Sequence, residues 1–517
     1  MPAFHRVVCL IIAAVAVNAL QHRQHFHAAS SARMSRSSSS ASKPHIIFVL
    51  LDDLGYGDMG RASGGQTYTP TFDRLAADGT ILENYYVYPS CSPTRSAINT
   101  GRHAMKTGIY TPGKPNEPVG IPLHFKTLAE AMKENGYSTH MVGKWHVGSY
   151  TWKHTPTYRG FQSFYGFFGW QETYFEHIEV GRGLPWGVYD FHYQNSPNCG
   201  DGCHQVLWDE SGNYSTEVFG WRAENIISRH DTETPLFLYL AEQAPHGPLA
   251  CPDQYLSYKP QGSVRNDVLV GALAAADISF QAILDALAVK DMLENTIVIF
   301  SSDNGGEFDN DKKEAGPGHS NFPLRGAKHT LFEGGIRAAN FVWSGSKAPQ
   351  VRKGSFTGLM HAVDWFPTLL QMIGANYSVS EFDGVSQWDA LSTGASAQDY
   401  VFLGYHHEDN QAGYAVRHQD WKLIVGFPGM QGHSGWINFD GQSMKASPEK
   451  YNSDSVLLYN ISSDNREEHN LADDYPDVVA ELKERAWSQL QNRVGSYPDY
   501  ANCKDFDPSV GVLLPWC

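Results

Sequence analysis

Three short runs of unbroken hydrophobicity constrain this 517-residue chain more than anything else in it. His45 to Leu51, Pro235 to Ala241 and Thr296 to Phe300 show no alternation of apolar and polar positions. Each therefore predicts a strand covered on both faces, as in a largely parallel sheet between helical layers. A further strand is expected from Ile81 to Tyr88. Helical patterns at Pro70 to Asp78, Leu128 to Asn135 and Asp267 to Val289 supply the covering layers, the second stopped by Gly136. Beyond about Gly384 the pattern changes. Tyr414 to Val425 and Leu457 to Ile461 read as antiparallel strands, and Pro476 to Arg493 as an amphipathic helix. The expected organisation is an α/β domain over 44–383 followed by a smaller α+β domain over 384–517.

The residues just past the apolar runs are equally informative. The first run ends in Asp52-Asp53, with Gly55 and Gly57 close behind. The second leads into Pro245-His246-Gly247-Pro248, and the third into Asp303-Asn304-Gly305-Gly306. A doubly wound sheet holds its ligands at the carboxyl ends of its strands. Asp52, Asp53, Asp303 and Asn304 offer hard oxygen donors there. Three carboxylates would repel one another without a cation, and such donors suit calcium or magnesium better than zinc.

Three other stretches carry candidate chemistry. In Cys91-Ser92-Pro93-Thr94-Arg95 a proline starts a helix, which places Cys91 at an N-terminal end that favours an anion, with Arg95 four residues on. Lys144 and His146 are two apart, so an extended segment would point both the same way. Lys328 closes the basic, glycine-containing run Leu324-Arg325-Gly326-Ala327-Lys328. Cations and imidazoles in such numbers suit an anionic substrate. Trp152 to Cys203, rich in aromatics, Gly and Pro, is expected to form long loops walling a pocket.

The termini and cysteines bear on the compartment. Residues 1–19 read as a signal peptide: His5 and Arg6, an apolar run from Val7 to Ala19, and small residues at Val17-Asn18-Ala19. That run is short for a membrane span, and no other stretch reads as long and apolar enough to span one. Residues 20–43 read as a disordered Ser-rich linker. Sequons at Asn213, Asn376 and Asn460 fit glycosylation in the secretory pathway, with a lysosomal or secreted destination. Of seven cysteines, Cys9 leaves with the signal; Cys503 with Cys517 would staple the tail and Cys199 with Cys203 would close a small loop, though sequence does not settle pairing. A formal charge of −16 excludes a general nucleic-acid binder. The 23 histidines imply a strong swing of charge on acidification, which suits an acidic compartment.

In order and spacing these motifs resemble the type I sulfatases. Asp52-Asp53, Cys91 to Arg95, Lys144 to His146, Pro245-His246, Asp303 to Gly306 and Leu324 to Lys328 carry the resemblance, which covers His45 to the end. Thr157 to Phe161, Phe382 to Gly384 and Ala415 to Val425 carry a closer likeness to arylsulfatase B and its relatives. The resemblance implies an alkaline-phosphatase-like large mixed sheet between helices. It implies oxidation of Cys91 to Cα-formylglycine by a formylglycine-generating enzyme, with the hydrated aldehyde as nucleophile and its second hydroxyl expelling sulfate. It implies one divalent cation, calcium first and magnesium second, on Asp52, Asp53, Asp303, Asn304 and the modified Cys91. By the same resemblance Arg95 holds the hydrated aldehyde, and Asp303 takes the attacking hydroxyl's proton. Lys144 and Lys328 cradle sulfate, His246 protonates the leaving alcohol and His146 drives sulfate release. The implied substrate is a sulfated sugar such as N-acetylgalactosamine 4-sulfate or another glycosaminoglycan sulfate. The chain departs from the family at Asn99, where Leu is usual, at Thr94, and between Tyr110 and Pro122, which lacks the cysteines of arylsulfatase B. The same residues leave two rivals. A phosphoester or phosphonate hydrolase of the alkaline phosphatase superfamily would need further His and Asp ligands. An inactive secreted relative would show gaps in the ligand set.

Overall fold

In the computed structural model the described residues are 42–180, 187–196, 203–308, 318–408, 411–438, 444, 445, 447, 449–495, 503 and 506–517. The expected signal peptide and nearly all of the Ser-rich linker lie outside them, as does Cys199. The three apolar runs form adjacent strands, His45–Leu51, Leu236–Ala241 and Thr296–Ser302, each buried along its whole length. They lie in a ten-stranded mixed sheet. Its spatial order is Gly354–His361, Thr80–Tyr86, Asn340–Ser344, Thr296–Ser302, His45–Leu51, Leu236–Ala241, Ser138–Lys144, Ser163–Phe167, His192–Gln194, His204–Val206. The five strands from Thr296–Ser302 to Ser163–Phe167 are mutually parallel, and antiparallel neighbours flank them on both sides.

Successive residues of the central strand face opposite layers. Ile46, Phe48 and Leu50 enter one core with the Cys91–Thr100 and Trp365–Met372 helices; Ile47, Val49 and Leu51 enter the other with the Ser215–Arg229 and Asp267–Val289 helices. Backbones approach closely within the sheet. A Cβ on Gly143, whose φ is +102°, would stand 1.9 Å from the carbonyl oxygen of Ala241 on the next strand.

The second sheet pairs Tyr400–Glu408, Gln411–His418, Trp421–Gly426 and Val456–Asn460, all antiparallel, and the Pro476–Leu490 helix packs beside it through Leu482 and Ala486. A third core, containing Tyr86, Leu331, Phe332, Val401, Ala415, Ile424 and Leu457, joins this sheet to the segment that carries Lys328.

Four expectations need correction. The Trp152 to Cys203 stretch is not only loops, since Ser163–Phe167 and His192–Gln194 extend the main sheet. Their aromatic side chains are packed in the core, and Gly166 lies where a side chain would meet Gly143. Lys144 and His146 do not share a strand face: the strand ends at Lys144, and His146 has φ +53°. By length and composition the Asp267–Val289 helix is apolar enough to cross a membrane, but it is mostly buried as a core helix. The charge swing counted from histidines is also reduced, because burial pulls His45, His103 and His140 down to about 4. Cys503 and Cys517 are disulfide-bonded. Asn213 and Asn376 are exposed, and Asn460 is half-buried.

Candidate active site

Register assembles the site. Leu51 pairs with Ser302, Leu50 with Ala241, and Gly143 with Ala241. Parallel strands in this register release their next residues side by side, so Asp52-Asp53, Asp303-Asn304, Lys144 and the loop to His246 emerge along one edge. The glycines after Asn304 permit this crowding: a Cβ on Gly305 would lie 1.8 Å from the carbonyl oxygen of Gly334.

The Cys91–Thr100 helix points its first turn at the same edge. Ser90 is extended before it, and Gly101 ends it in the left-handed region. Cys91 Sγ lies 3.4 Å from Asp52 Oδ1, and the side chain is buried. Burial, with Asp303 and Asp52 nearby, pushes the thiol well above its usual value despite Lys144 and Lys328. One turn on, Arg95 donates from Nε and Nη2 to Asp303 Oδ2 at 3.0 and 2.8 Å, and from Nη1 to the Lys144 carbonyl at 3.1 Å. Its Nη2 is 3.6 Å from Asp52 Oδ1. Burial and Asp52 lift Asp303 to about 6 against the pull of Arg95.

Two ammonium groups complete the centre. Lys144 Nζ is 2.5 Å from Asp52 Oδ2, and Lys328 Nζ is 2.8 Å from Asp53 Oδ2. Burial raises Asp53, but Lys328 and His246 outweigh it and hold the carboxyl far below the usual range. Lys328 Nζ is also 3.2 Å from His246 Nε2, while His246 Nδ1 is 2.5 Å from the Gly247 carbonyl. That pattern fits a neutral ring with its proton on Nδ1. Burial pulls His246 down to about 3, assisted by Lys328 and Lys144 and opposed by Asp53. His146 is also buried. Its Nε2 meets the Gly113 carbonyl at 3.1 Å, Ser92 Oγ donates to its carbonyl at 2.8 Å, and its Nδ1 is buried without a partner.

Sequence reasoning missed the groups that hold the His246 loop. Tyr174 donates from its hydroxyl to the His246 carbonyl at 2.9 Å, and Gln243 donates to the Glu172 carbonyl at 2.5 Å. Tyr174 lies among many aromatics of the 152–203 stretch, and no spacing distinguishes it from a packing residue.

The residues fit a divalent cation. Asp52, Asp53, Cys91 and His246 present ligand atoms within 4.8 Å of one another. Asp303 Oδ1 accepts from the Asp53 amide at 3.1 Å, and Asn304 Nδ2 donates to Asp53 Oδ1 at 2.7 Å. Asn304 Oδ1 is buried without a partner, as an oxygen reserved for a ligand would be. The group of Asp52, Asp53, Cys91 and His246 differs from the expected ligand set in bringing in His246 and leaving out Asp303; the carboxylates of Asp52 and Asp53, with the Asn304 amide oxygen, suit a hard cation.

Comparison with known proteins agrees with this chemistry. The family model "Sulfatase" matches residues 44–375. Mouse arylsulfatase J is 36% identical over 475 residues, 86% of this chain and 75% of that protein. Human arylsulfatase A is 30% identical over 481 residues, 86% of this chain and 87% of that protein. The crystal structure of Ps i-CgsB in complex with k-i-k-neocarrahexaose superposes with a TM-score of 0.71 at 25% identity, covering 88% of this chain and 94% of that one. With a matching family model over most of its length and arylsulfatases among its relatives, the chain belongs to the sulfatase family and is an enzyme of sulfate ester hydrolysis.

Proposed function

We propose that this sulfatase removes sulfate from sulfated sugars, using residue 91 as nucleophile after its oxidation to Cα-formylglycine. The observation that carries the reading is the convergence of Lys144 and Lys328 on Asp52 and Asp53 beside Cys91. Two buried ammonium groups on adjacent aspartates form a seat for a tetrahedral anion. The formyl group, once hydrated, supplies one hydroxyl to attack sulfur and a second whose loss of a proton releases sulfate. A divalent cation on Asp52, Asp53, Asp303, Asn304 and residue 91, calcium before magnesium, would polarise a sulfate oxygen.

The chain's own residues do the rest. Arg95 orients Asp303 and neutralises part of the carboxylate charge. Asp303 takes the proton of the attacking hydroxyl. Lys144 and Lys328 bind the sulfate oxygens. His246 and Lys328, already in contact, share the proton delivered to the leaving alcohol, and His146 takes the proton that accompanies sulfate release. Relatives named N-acetylgalactosamine-6-sulfatase, such as the dog protein at 31% identity, support a sulfated amino sugar as substrate class. The likeness to arylsulfatase B favours N-acetylgalactosamine 4-sulfate or another glycosaminoglycan sulfate. The signal-like N-terminus and the sequons at Asn213, Asn376 and Asn460 support a secretory route, to lysosome or exterior, where a formylglycine-generating enzyme would meet the unfolded chain.

Mass spectrometry of the tryptic peptide Leu75 to Arg95, from protein made in a secretory host, tests the nucleophile. Hydrazide-trapped aldehyde at position 91, with sulfate release from sulfated amino sugars, is expected. Unmodified Cys91 in active protein would overturn the formylglycine reading.

A further inference from the structure

Arg325 stands three residues before Lys328, yet its side chain turns away from the site. It is 2% exposed. Nε donates to the Ser434 carbonyl at 3.0 Å, and Nη1 donates to Tyr459 Oη at 3.1 Å and the Glu467 carbonyl at 2.8 Å. Nη2 donates to Ser447 Oγ at 3.0 Å and to the Tyr451 hydroxyl. Five donors thus meet five acceptors, all from the C-terminal segment. The guanidinium plane also stacks on Phe332 and Trp436, 4.1 and 4.4 Å from their ring centres. A planar fork is required for this; an ammonium cannot reproduce it.

The backbone around Lys328 is tied to the same segment. The Gly326 amide donates to the Gly435 carbonyl at 2.7 Å, the Leu331 amide to the Pro428 carbonyl at 2.7 Å, and the Met430 amide to the His329 carbonyl at 3.1 Å. His433 Nδ1 lies 3.1 Å from the carbonyl oxygen of Lys328 itself. On its other side the Lys328 amide donates to the Gly306 carbonyl at 3.1 Å, next to the Asp303-Asn304 strand end. Lys328 is therefore suspended between the strand end and the C-terminal segment, and Arg325 is the anchor on the latter.

We propose that Arg325 is the positioning residue for Lys328, through which the C-terminal segment sets where the ammonium meets substrate sulfate. The inference rests on the reading that Lys328 binds sulfate. A misplacement of about 1 Å at such a group costs on the order of 100-fold in rate.

The test compares Arg325→Lys and the milder Tyr451→Phe with wild-type holoenzyme, each rate normalised to formylglycine content and folded fraction. Turnover of 4-nitrophenyl sulfate and competitive inhibition by inorganic sulfate are measured beside thermal melting. Arg325→Lys is expected to lose about 10- to 100-fold in kcat/KM, and Tyr451→Phe about 2- to 5-fold, with sulfate inhibition weakened in parallel. A merely structural role would lower the melting temperature and leave both quantities per folded molecule unchanged, and that result overturns the assignment. If Arg325→Lys does not fold, Tyr451→Phe decides on the same terms. Wild-type enzyme that neither turns over the ester nor binds sulfate overturns the functional reading and this inference together; active wild-type enzyme with indifferent variants overturns this inference alone.

Discussion

Arg95 and Asp303 are paired out of solvent: Nη2 of the arginine lies 2.8 Å from Oδ2 of the aspartate, and neither side chain is more than 1% exposed. Breaking such a pair from one side leaves a buried charge without compensation, which costs about 3–5 kcal/mol. Arg95→Met is therefore expected to lower unfolding free energy by that order in urea titration. A loss below about 1 kcal/mol would show that Asp303 is balanced by other groups.

Chelation should act on stability as well as rate. Asp52 and Asp53 are adjacent and buried, the first paired with Lys144 and the second with Lys328. A cation that binds only the folded chain adds about 2.7 kcal/mol at a hundred times its Kd. Removal with EDTA is expected to abolish turnover and lower the melting temperature, with calcium restoring both at lower concentration than magnesium. An unchanged melting curve after verified metal removal would argue against a bound cation at these residues.

The pH dependence of stability can be tested away from the site. His103 is buried, with Nδ1 2.8 Å from the Tyr88 hydroxyl, and burial pulls its pKa down to about 4. The unfolded chain takes up this proton near pH 6.5 and the folded chain only near 4, so stability falls as pH drops through that window. At pH 5 the cost is about 2 kcal/mol relative to pH 7. His103→Gln, which cannot titrate, is expected to lose less stability than wild type between pH 7 and pH 5 in parallel denaturant titrations. Equal losses would show that His103 does not carry the effect.

Gly143 offers a steric test. A Cβ there would meet the Ala241 carbonyl at 1.9 Å, and φ +102° is strained for any other residue. Gly143→Ala must push apart two central strands that end in Lys144 and the His246 loop. The variant is expected to be insoluble or to melt at least about 10 °C lower, read by circular dichroism. Wild-type melting would mean that the strands can separate locally at little cost.

Much of this architecture was legible because the central strands show no alternation of apolar and polar residues. His45 to Leu51 could only be covered on both faces, and the acids after it could only stand at a strand end. The Cys91 helix was legible from Pro93, and the Asp267–Val289 helix from its spacing. Ser163–Phe167 was not, because Gly and aromatic residues signal a loop as well as a strand. The placing of His146 was hidden too, since nothing local announces a left-handed backbone after Lys144. Tyr174 and Arg325 act through carbonyl and hydroxyl groups distant in sequence, which no spacing encodes.

The sequence by itself determined which chemistries were present: oxygen donors at two strand ends, a cysteine at a helix start, and lysines and histidines sufficient for an anion. Those are properties of residue type and local pattern, and local pattern is set by a few neighbouring side chains. Only the tertiary structure decided which lysine faces which carboxylate, that Arg95 serves Asp303, and that the C-terminal segment grips the Lys328 loop. Such pairings depend on distances between segments far apart in the chain, and those distances are set by strand register and core packing.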